Sequence, residues 1–223
     1  MEGVVEGEFV GPLISGETLL RYRILPHQHA VLPCTAQGLI GGGDDIEIYR
    51  SFAQWWRQAE EIWTRHRSKE RLSLKEQLDY QSKLTKQLPI PTLRVVYIAS
   101  GMHLCAAKLE DRRAIVAKSL YWAAAATQEE ADYLCALLNA PATTEFARPY
   151  MSYGKDERHF DKHIWQLPNA KFDPSNPMHN KLARLCKTLH SLAAKFFVDV
   201  GGVRHGQLRH PAEVIEPQPE CCR

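Results

Sequence analysis

The sequence contains no apolar run as long as the roughly 18–20 residues that a membrane-spanning helix needs. Residues 1–6 also lack the basic segment and apolar core of a secretory signal. We therefore expect a cytoplasmic protein that does not span a membrane.

The chain also lacks a strong excess of either charge. Its 28 lysines and arginines stand against 26 aspartates and glutamates, a net charge of +2. Charge alone therefore does not indicate a nucleic-acid-binding protein, and any basic surface has to be local. Residues 50–87 are such a stretch, with nine basic and five acidic residues, although a solvated helical face is the simpler interpretation of that pattern.

The six cysteines lack the spacing of a disulfide framework. Several stand in apolar stretches, where a free cysteine behaves as a small buried hydrophobic residue, so we expect them to be reduced and structural. His27, His29 and Cys34 could supply three zinc ligands, but no CxxC or HxxxH pair supplies a fourth. We expect neither a metal nor a cofactor in this chain.

Apolar periodicity and turn residues predict an α+β fold. Short apolar runs broken by glycine and proline at residues 9–39 are typical of short strands. A helical insertion is predicted at about residues 46–88. Its first helix has one apolar stripe, formed by Phe52, Trp55, Ala59 and Ile62.

Residues 94–123 join β-branched and aromatic segments by short turns, which predicts an antiparallel β-meander flanked by two amphipathic helices. The first helix begins at a capping box, Thr127-Gln128-Glu129-Glu130, and ends before Pro141. The second covers about residues 178–197, with Asn176 as N-cap and Pro177 at the first helical position. Its predicted apolar stripe consists of Leu182, Leu185, Leu189, Leu192 and Phe196. We expect residues 1–198 to form one domain and 199–223 a mobile tail.

The block from Arg94 to Leu185 holds many short motifs in a fixed order. They include Arg94-Val95-Val96-Tyr97, Leu120-Tyr121-Trp122, Leu137-Leu138-Asn139-Ala140-Pro141, Arg158-His159-Phe160-Asp161-Lys162 and Trp165-Gln166-Leu167-Pro168. This order resembles the C-terminal target-recognition region of N6-adenine DNA methyltransferases from restriction–modification and related phage-defence systems. Together with the upstream Gln54-Trp55-Trp56, the resemblance covers about residues 5–195. The chain departs from the family pattern at Asn169 and Ala170, because Ala170 displaces the usual second proline.

The catalytic motifs of such an enzyme are missing. The cofactor S-adenosylmethionine needs a glycine-rich turn after the first strand of a βαβ unit, whereas Gly41-Gly42-Gly43-Asp44 follows a run of turns. The adenine-binding Asn/Asp-Pro-Pro-Tyr/Phe loop is imitated by Asn176-Pro177-Met178-His179, which lacks the second proline and the stacking aromatic residue. We therefore expect this chain alone not to be an enzyme, and S-adenosylmethionine to bind a catalytic partner.

The resemblance implies double-stranded DNA as the partner, and two segments are candidates for contacting it. The loop at residues 150–163 offers an arginine for guanine edges or phosphate, lysines for phosphates, and side chains that stack or donate. These residues are Arg158, His159, Lys162, Lys155 and Tyr153. The basic stretch would add sequence-independent affinity through Arg65, Arg67, Lys83 and Lys86. Internal pairing of Arg158 with Asp161 is the alternative interpretation of the loop.

Three functional hypotheses stay open. The first is a sequence-specific DNA-binding module that works with a catalytic methyltransferase subunit. The second, supported by the near-neutral charge, is a protein-interaction module or the non-functional remnant of a split methyltransferase gene. The third is an independent nuclease built on acidic and histidine residues at 157–163. The sequence of that segment is not typical of the strands on which nuclease sites usually lie. A partner subunit would need a docking face, for which we consider Trp55, Trp56 and Trp63, since adjacent tryptophans should not point into one core.

Overall fold

The chain forms an α+β structure, as its sequence predicts. The computed structural model describes residues 2–26, 28–35, 38–41, 43–67, 72–153, 158–160, 164–165, 171–196, 198–200 and 203–205. Within these ranges, none of the helices combines the length and apolarity that crossing a membrane requires.

Six short strands make up the N-terminal part, which agrees with the glycine and proline punctuation. They are β1 (Val10–Ile14), β2 (Leu19–Leu20), β3 (Arg23–Ile24), β4 (Gln28–Val31), β5 (Cys34–Thr35) and β6 (Gly38–Leu39). Strand β1 pairs with β4, and the β2–β3 and β5–β6 pairs are antiparallel hairpins. Gly41 follows at φ +102°, and a Cβ atom there would lie 3.0 Å from the Trp56 ring, so this position requires glycine.

The helical insertion consists of α1 (Arg50–His66) and the short α2 (Leu74–Leu78), followed by 3-10 turns. Helix α1 buries Phe52, Ala53 and Trp56 against Phe9 and Ile46, which lie in two short 3-10 turns. The buried face of α1 is therefore rotated about the helix axis relative to the predicted apolar stripe, and Ile62, a member of that stripe, is exposed.

A buried glutamine attaches the insertion to the sheet. The Gln87 side chain donates to the Val116 carbonyl and accepts from the Val116 N–H, both at 2.9 Å. The Gln87 amide thus bonds to the backbone of Val116 as a neighbouring strand would, and this attaches the 3-10 turns before Gln87 to the sheet.

The predicted antiparallel sheet is present, but its strands are not ordered as a simple meander. The strands are β7 (Arg94–Ile98), β8 (Ala106–Leu109), β9 (Ile115–Val116) and β10 (Leu120–Ala124). Strand β7 lies between β10 and β8, while β9 leaves to pair in parallel with β1. The fully buried Arg94 guanidinium donates to the carbonyls of Asp111 and Ala114, and so fixes the long connection that crosses over β7.

The C-terminal half adds three helices and two hairpins. They are α3 (Gln128–Asn139), α4 (Pro141–Ala147), β11 (Ser152–Tyr153), β12 (Arg158–His159), α5 (Pro177–Lys195), β13 (Val198–Val200) and β14 (Val203–His205). The Thr127 and Asn176 caps are confirmed, each side chain accepting from a first-turn N–H group. Pro141 begins α4, a helix the sequence did not predict. Residues 206–223 of the expected mobile tail lie outside the described ranges.

Helix α5 buries a different face from the predicted one. Its buried residues are His179, Ala183 and Cys186, whereas the leucines at 185, 189 and 192 are exposed. Among the inward polar groups, His179 Nδ1 accepts from the Asp173 N–H at 3.0 Å. The small Ala183 side chain lets α5 lie close against α3.

Candidate functional site

A short β-hairpin stands where the sequence suggested a DNA-reading loop. Strands β11 and β12 pair Ser152 with His159 and Tyr153 with Arg158. Met151 and Phe160, the residues that flank the hairpin, are 6% and 2% exposed, so both of its ends are held in the core. The Phe160 N–H donates to the Ala99 carbonyl at 2.8 Å, and a bridge joins Ser100 to His159. The hairpin is thus attached to the end of β7.

A second anchor follows the hairpin. Ile164 is 1% exposed, and the Trp165 indole N–H donates to the Tyr97 hydroxyl at 2.8 Å with the rings edge to face. Burial raises the pKa of Tyr97, so this hydroxyl stays neutral. The chain therefore returns to the same core cluster after the hairpin.

The predicted loop residues fall unevenly on this hairpin. The backbone positions of Tyr153 and Arg158 form the register pair next to the turn, and His159 is half-buried. Lys155 and Lys162 lie outside the described residues. So does Asp161, which leaves the alternative Arg158–Asp161 pair untested. Strand β12 appears in a segment that we expected to lack strand structure, because pairing with β11 outweighs its weak local propensity.

The predicted basic residues of the insertion occupy two separate places. Arg65, at the end of α1, pairs with Glu61 at 2.7 Å, and Arg67 donates to the Leu72 carbonyl at 3.2 Å. Lys83 and Lys86 are exposed on the 3-10 turns, and Lys86 donates to the Gln81 carbonyl.

Helix α1 packs on the Phe9–Trp56 cluster and the hairpin on the Tyr97–Leu138 cluster, which are different cores.

The tryptophans do not form the free docking face that we considered. Trp56 is 1% exposed, and Trp55 packs on the edge of the same cluster beneath Gly3. The expectation that the two would not share a core is wrong, since the N-terminal segment covers the second ring. The Trp63 indole N–H donates to the Leu72 carbonyl at 2.9 Å.

The structure also brings together a group that the sequence did not reveal. Cys135 of α3 and Cys186 and His190 of α5 place two sulfur atoms and one imidazole nitrogen within 4.8 Å of one another. Both cysteines are 0% exposed free thiols. His190 Nδ1 donates to the Tyr22 carbonyl at 2.6 Å, so in the neutral imidazole the lone pair lies on Nε2.

A carboxylate and an ammonium group adjoin this cluster. Asp132 Oδ1 lies 3.6 Å from His190 Nε2 and 2.7 Å from Lys108 Nζ. These side chains are 7%, 18% and 16% exposed, which makes their charges sensitive to one another.

The thiols of the cluster have unequal acidity. The Cys135 hydrogen bond lowers the pKa of Cys186; burial opposes this effect and His190 reinforces it. The pKa of Cys135 is raised by the same hydrogen bond and by burial. Burial acts to lower the pKa of His190, but its contacts with Cys186 and the Tyr22 carbonyl outweigh that effect and raise it. The arrangement therefore favours a Cys186 thiolate beside a protonated His190; once that histidine proton is removed, the thiolate and the imidazole nitrogen form a metal-binding donor set.

The spacing of these residues was the available signal. Asp132 precedes Cys135 by three residues and Cys186 precedes His190 by four, so each pair shares a helix face. These pairs have neither the CxxC nor the HxxxH spacing of common zinc sites. Of the ligands considered, His29 and Cys34 belong to no three-ligand group among the described residues, and His27 lies outside them.

The chain matches no protein-family model and no curated protein sequence.

Proposed function

We propose that this chain is a cytoplasmic, sequence-specific DNA-binding module that directs an adenine methyltransferase of a restriction–modification or phage-defence system. A separate catalytic subunit holds S-adenosylmethionine, and this chain itself transfers no methyl group. The observation that carries the proposal is the β11–β12 hairpin, which is fixed in the core at both ends and has Tyr153 and Arg158 next to its turn.

A two-stranded antiparallel ribbon suits this task because it fits the major groove, where each base pair presents a distinct set of donors and acceptors. The Phe160–Ala99 and Trp165–Tyr97 hydrogen bonds support the base of the ribbon. Such support reduces the entropy lost when a reading element binds.

Affinity that does not depend on sequence would come from phosphate contacts. Lys83 and Lys86 are exposed on turns that Gln87 fixes to the sheet. Arg65 and Arg67 have internal partners, and Lys86 donates to the Gln81 carbonyl, so these three side chains must exchange their partners for phosphates.

The test measures fluorescence anisotropy with random-sequence duplex DNA at two salt concentrations, followed by selection of a preferred site. Binding should weaken steeply with salt, by about 0.9 logarithmic units of affinity per logarithmic unit of salt for each phosphate contact. Failure of the folded chain to bind at low salt would contradict the proposal.

Arg158→Ala should weaken binding to the selected site by about 1–3 kcal/mol, the usual value of one bidentate arginine–guanine contact. Arg184→Ala is the matched control, because it removes the same charge from an exposed position on α5. Equal effects of the two variants would show that Arg158 acts only through charge.

A protein-interaction module is the second candidate, and helix α5 favours it. Leu185, Leu189, Leu192 and Phe196 are 38–69% exposed along one side of the helix. A reading frame beside this gene that encodes the two missing catalytic motifs would supply the partner. Their complex should withstand salt, unlike DNA binding, and Leu189→Lys should abolish it.

A further inference from the structure

We propose that Cys135, Cys186 and His190 bind a zinc ion between α3 and α5, with Asp132 as the fourth ligand. The inference stands independently of DNA binding. It starts from the donor set, because two sulfurs and an imidazole nitrogen are the ligands that zinc prefers.

The distances suit a tetrahedral ion after a small contraction. Zinc bonds of about 2.3 Å to sulfur and 2.0 Å to nitrogen separate neighbouring ligand atoms by about 3.4–3.8 Å. The three donor atoms already lie within 4.8 Å of one another. Asp132 Oδ1 is 3.6 Å from His190 Nε2, close to the separation of two such ligands on one ion, but it is not among the donor atoms that lie within 4.8 Å of one another, so it must move towards the sulfur atoms to complete the site.

Surrounding groups orient the ligands as they do in metal sites. The Tyr22 carbonyl accepts from His190 Nδ1, which fixes the tautomer that leaves Nε2 free to coordinate. That nitrogen is buried and has no hydrogen-bond partner among the described residues. Asn139 Nδ2 lies 3.4 Å from Cys135 Sγ, where it can donate to a thiolate.

The charges of the occupied site balance. Two thiolates and the Asp132 carboxylate bring three negative charges, which the zinc ion and Lys108 neutralise. Such a balance matters here because both sulfur atoms are fully buried, and an uncompensated buried charge is costly.

The orientation of α5 supplies independent support. A helix oriented by apolar burial alone would turn its leucines inward. Helix α5 instead turns Cys186 and His190 towards α3 and exposes Leu185 and Leu189. A metal ion shared by the two helices accounts for this choice of face.

The first experiment measures the metal content of the full chain, purified without chelator, and the absorption spectrum after replacement with Co²⁺. We expect about one zinc ion per chain and, with cobalt, thiolate charge-transfer absorption together with the visible bands of a tetrahedral ion. A folded chain that contains no zinc and gives no such cobalt spectrum would overturn the proposal. Metal-free protein with a Cys135–Cys186 disulfide would also overturn it, in favour of a redox pair.

Variants then identify the ligands. Cys186→Ser should lose the metal, whereas Cys34→Ser, at a partly buried thiol outside the cluster, should keep it. Since Cys186→Ser can also impair folding, His190→Cys provides a second test. It replaces nitrogen by a third thiolate, so cobalt should still bind and its charge-transfer intensity should rise by about half. Unchanged intensity in a cobalt-loaded His190→Cys chain would exclude position 190 as a ligand.

Discussion

The Leu137–Pro141 motif has a structural explanation in Asn139, whose side chain is 3% exposed. Its Oδ1 accepts from the Ala106 N–H at 3.0 Å, and its Nδ2 donates to the Ala106 and Cys135 carbonyls at 2.8 and 3.0 Å. Strand β8 is the edge of its sheet, so the Asn139 amide takes the place of a missing strand at Ala106.

Replacing Asn139 by alanine removes these hydrogen bonds and leaves a buried N–H without a partner. Each bond contributes about 0.5–1.5 kcal/mol, and an orphaned buried group costs about 1–3 kcal/mol. Because these terms overlap, we expect Asn139→Ala to lower the free energy of unfolding by about 2–4 kcal/mol.

Asn139→Asp tests the same reasoning with almost no change of shape. Its carboxylate can still accept from Ala106 but faces two carbonyl oxygens, so it should destabilise at least as much as alanine at neutral pH. The deficit should shrink as the pH falls, since a protonated carboxyl can again donate to Ala106.

Urea unfolding at several pH values measures these effects, with Asn180→Ala as control. The Asn180 side chain donates to the Pro174 carbonyl at the surface, and the loss of this bond should cost about 1 kcal/mol or less. A cost below about 1 kcal/mol for Asn139→Ala would refute the structural role. An Asn139→Ala variant that loses DNA binding while its stability is unchanged would also refute the structural role.

Two further predictions concern side chains that hold the connections in place. Burial lowers the pKa of Arg94 to about 10, and its guanidinium is held by two carbonyls of the crossing connection, so Arg94→Ala should cost about 2–4 kcal/mol in urea unfolding. The exposed Arg112→Ala should cost about 0.5 kcal/mol or less, and equal losses would contradict this role. Burial acts to raise the pKa of Asp79, but bonds from the Thr85 hydroxyl and the Thr85 and Leu84 amides outweigh it and lower the pKa. Its stabilising effect is therefore full above the ordinary aspartate pKa of about 3.9 and is lost as the pH falls through the lower folded value, so Asp79→Ala should flatten the acid side of the stability profile. An unchanged profile would show that these bonds contribute nothing.

Local signals predicted where elements begin, because a cap is decided within one turn. Thr127 and Asn176 accept first-turn N–H groups as expected, and Pro177 occupies the first helical position. The sequence could not reveal the parallel pairing of β9 with β1, because the paired residues are about a hundred positions apart. The side chains of Gln87 and Arg94, which hold β9 and the residue before it, are also distant in the sequence. Such partners become visible only when the chain has folded.

For the same reason, the sequence could indicate a candidate segment but not its structure. The composition of residues 150–163 indicated a reading loop, and the structure gives that segment a hairpin anchored by Phe160 and Trp165. The cysteine–histidine cluster was missed because its two halves lie about fifty residues apart, on α3 and α5. Each half is only a pair of helix neighbours until the helices pack.

Helix α5 connects the two proposals. Periodicity predicted the helix but not its inward face, since leucine and cysteine–histidine stripes follow the same repeat. If zinc holds the inward face, the exposed Leu185–Leu192 side is presented in one fixed orientation to a partner. Removing the metal should then weaken association with the catalytic subunit although no leucine has changed. DNA contacts at the β11–β12 hairpin should respond less, because the hydrogen bonds of Phe160 and Trp165 attach it to β7 and its flanking residues, and its link to α5 is the apolar packing that Phe160 shares with Cys186 in one buried cluster.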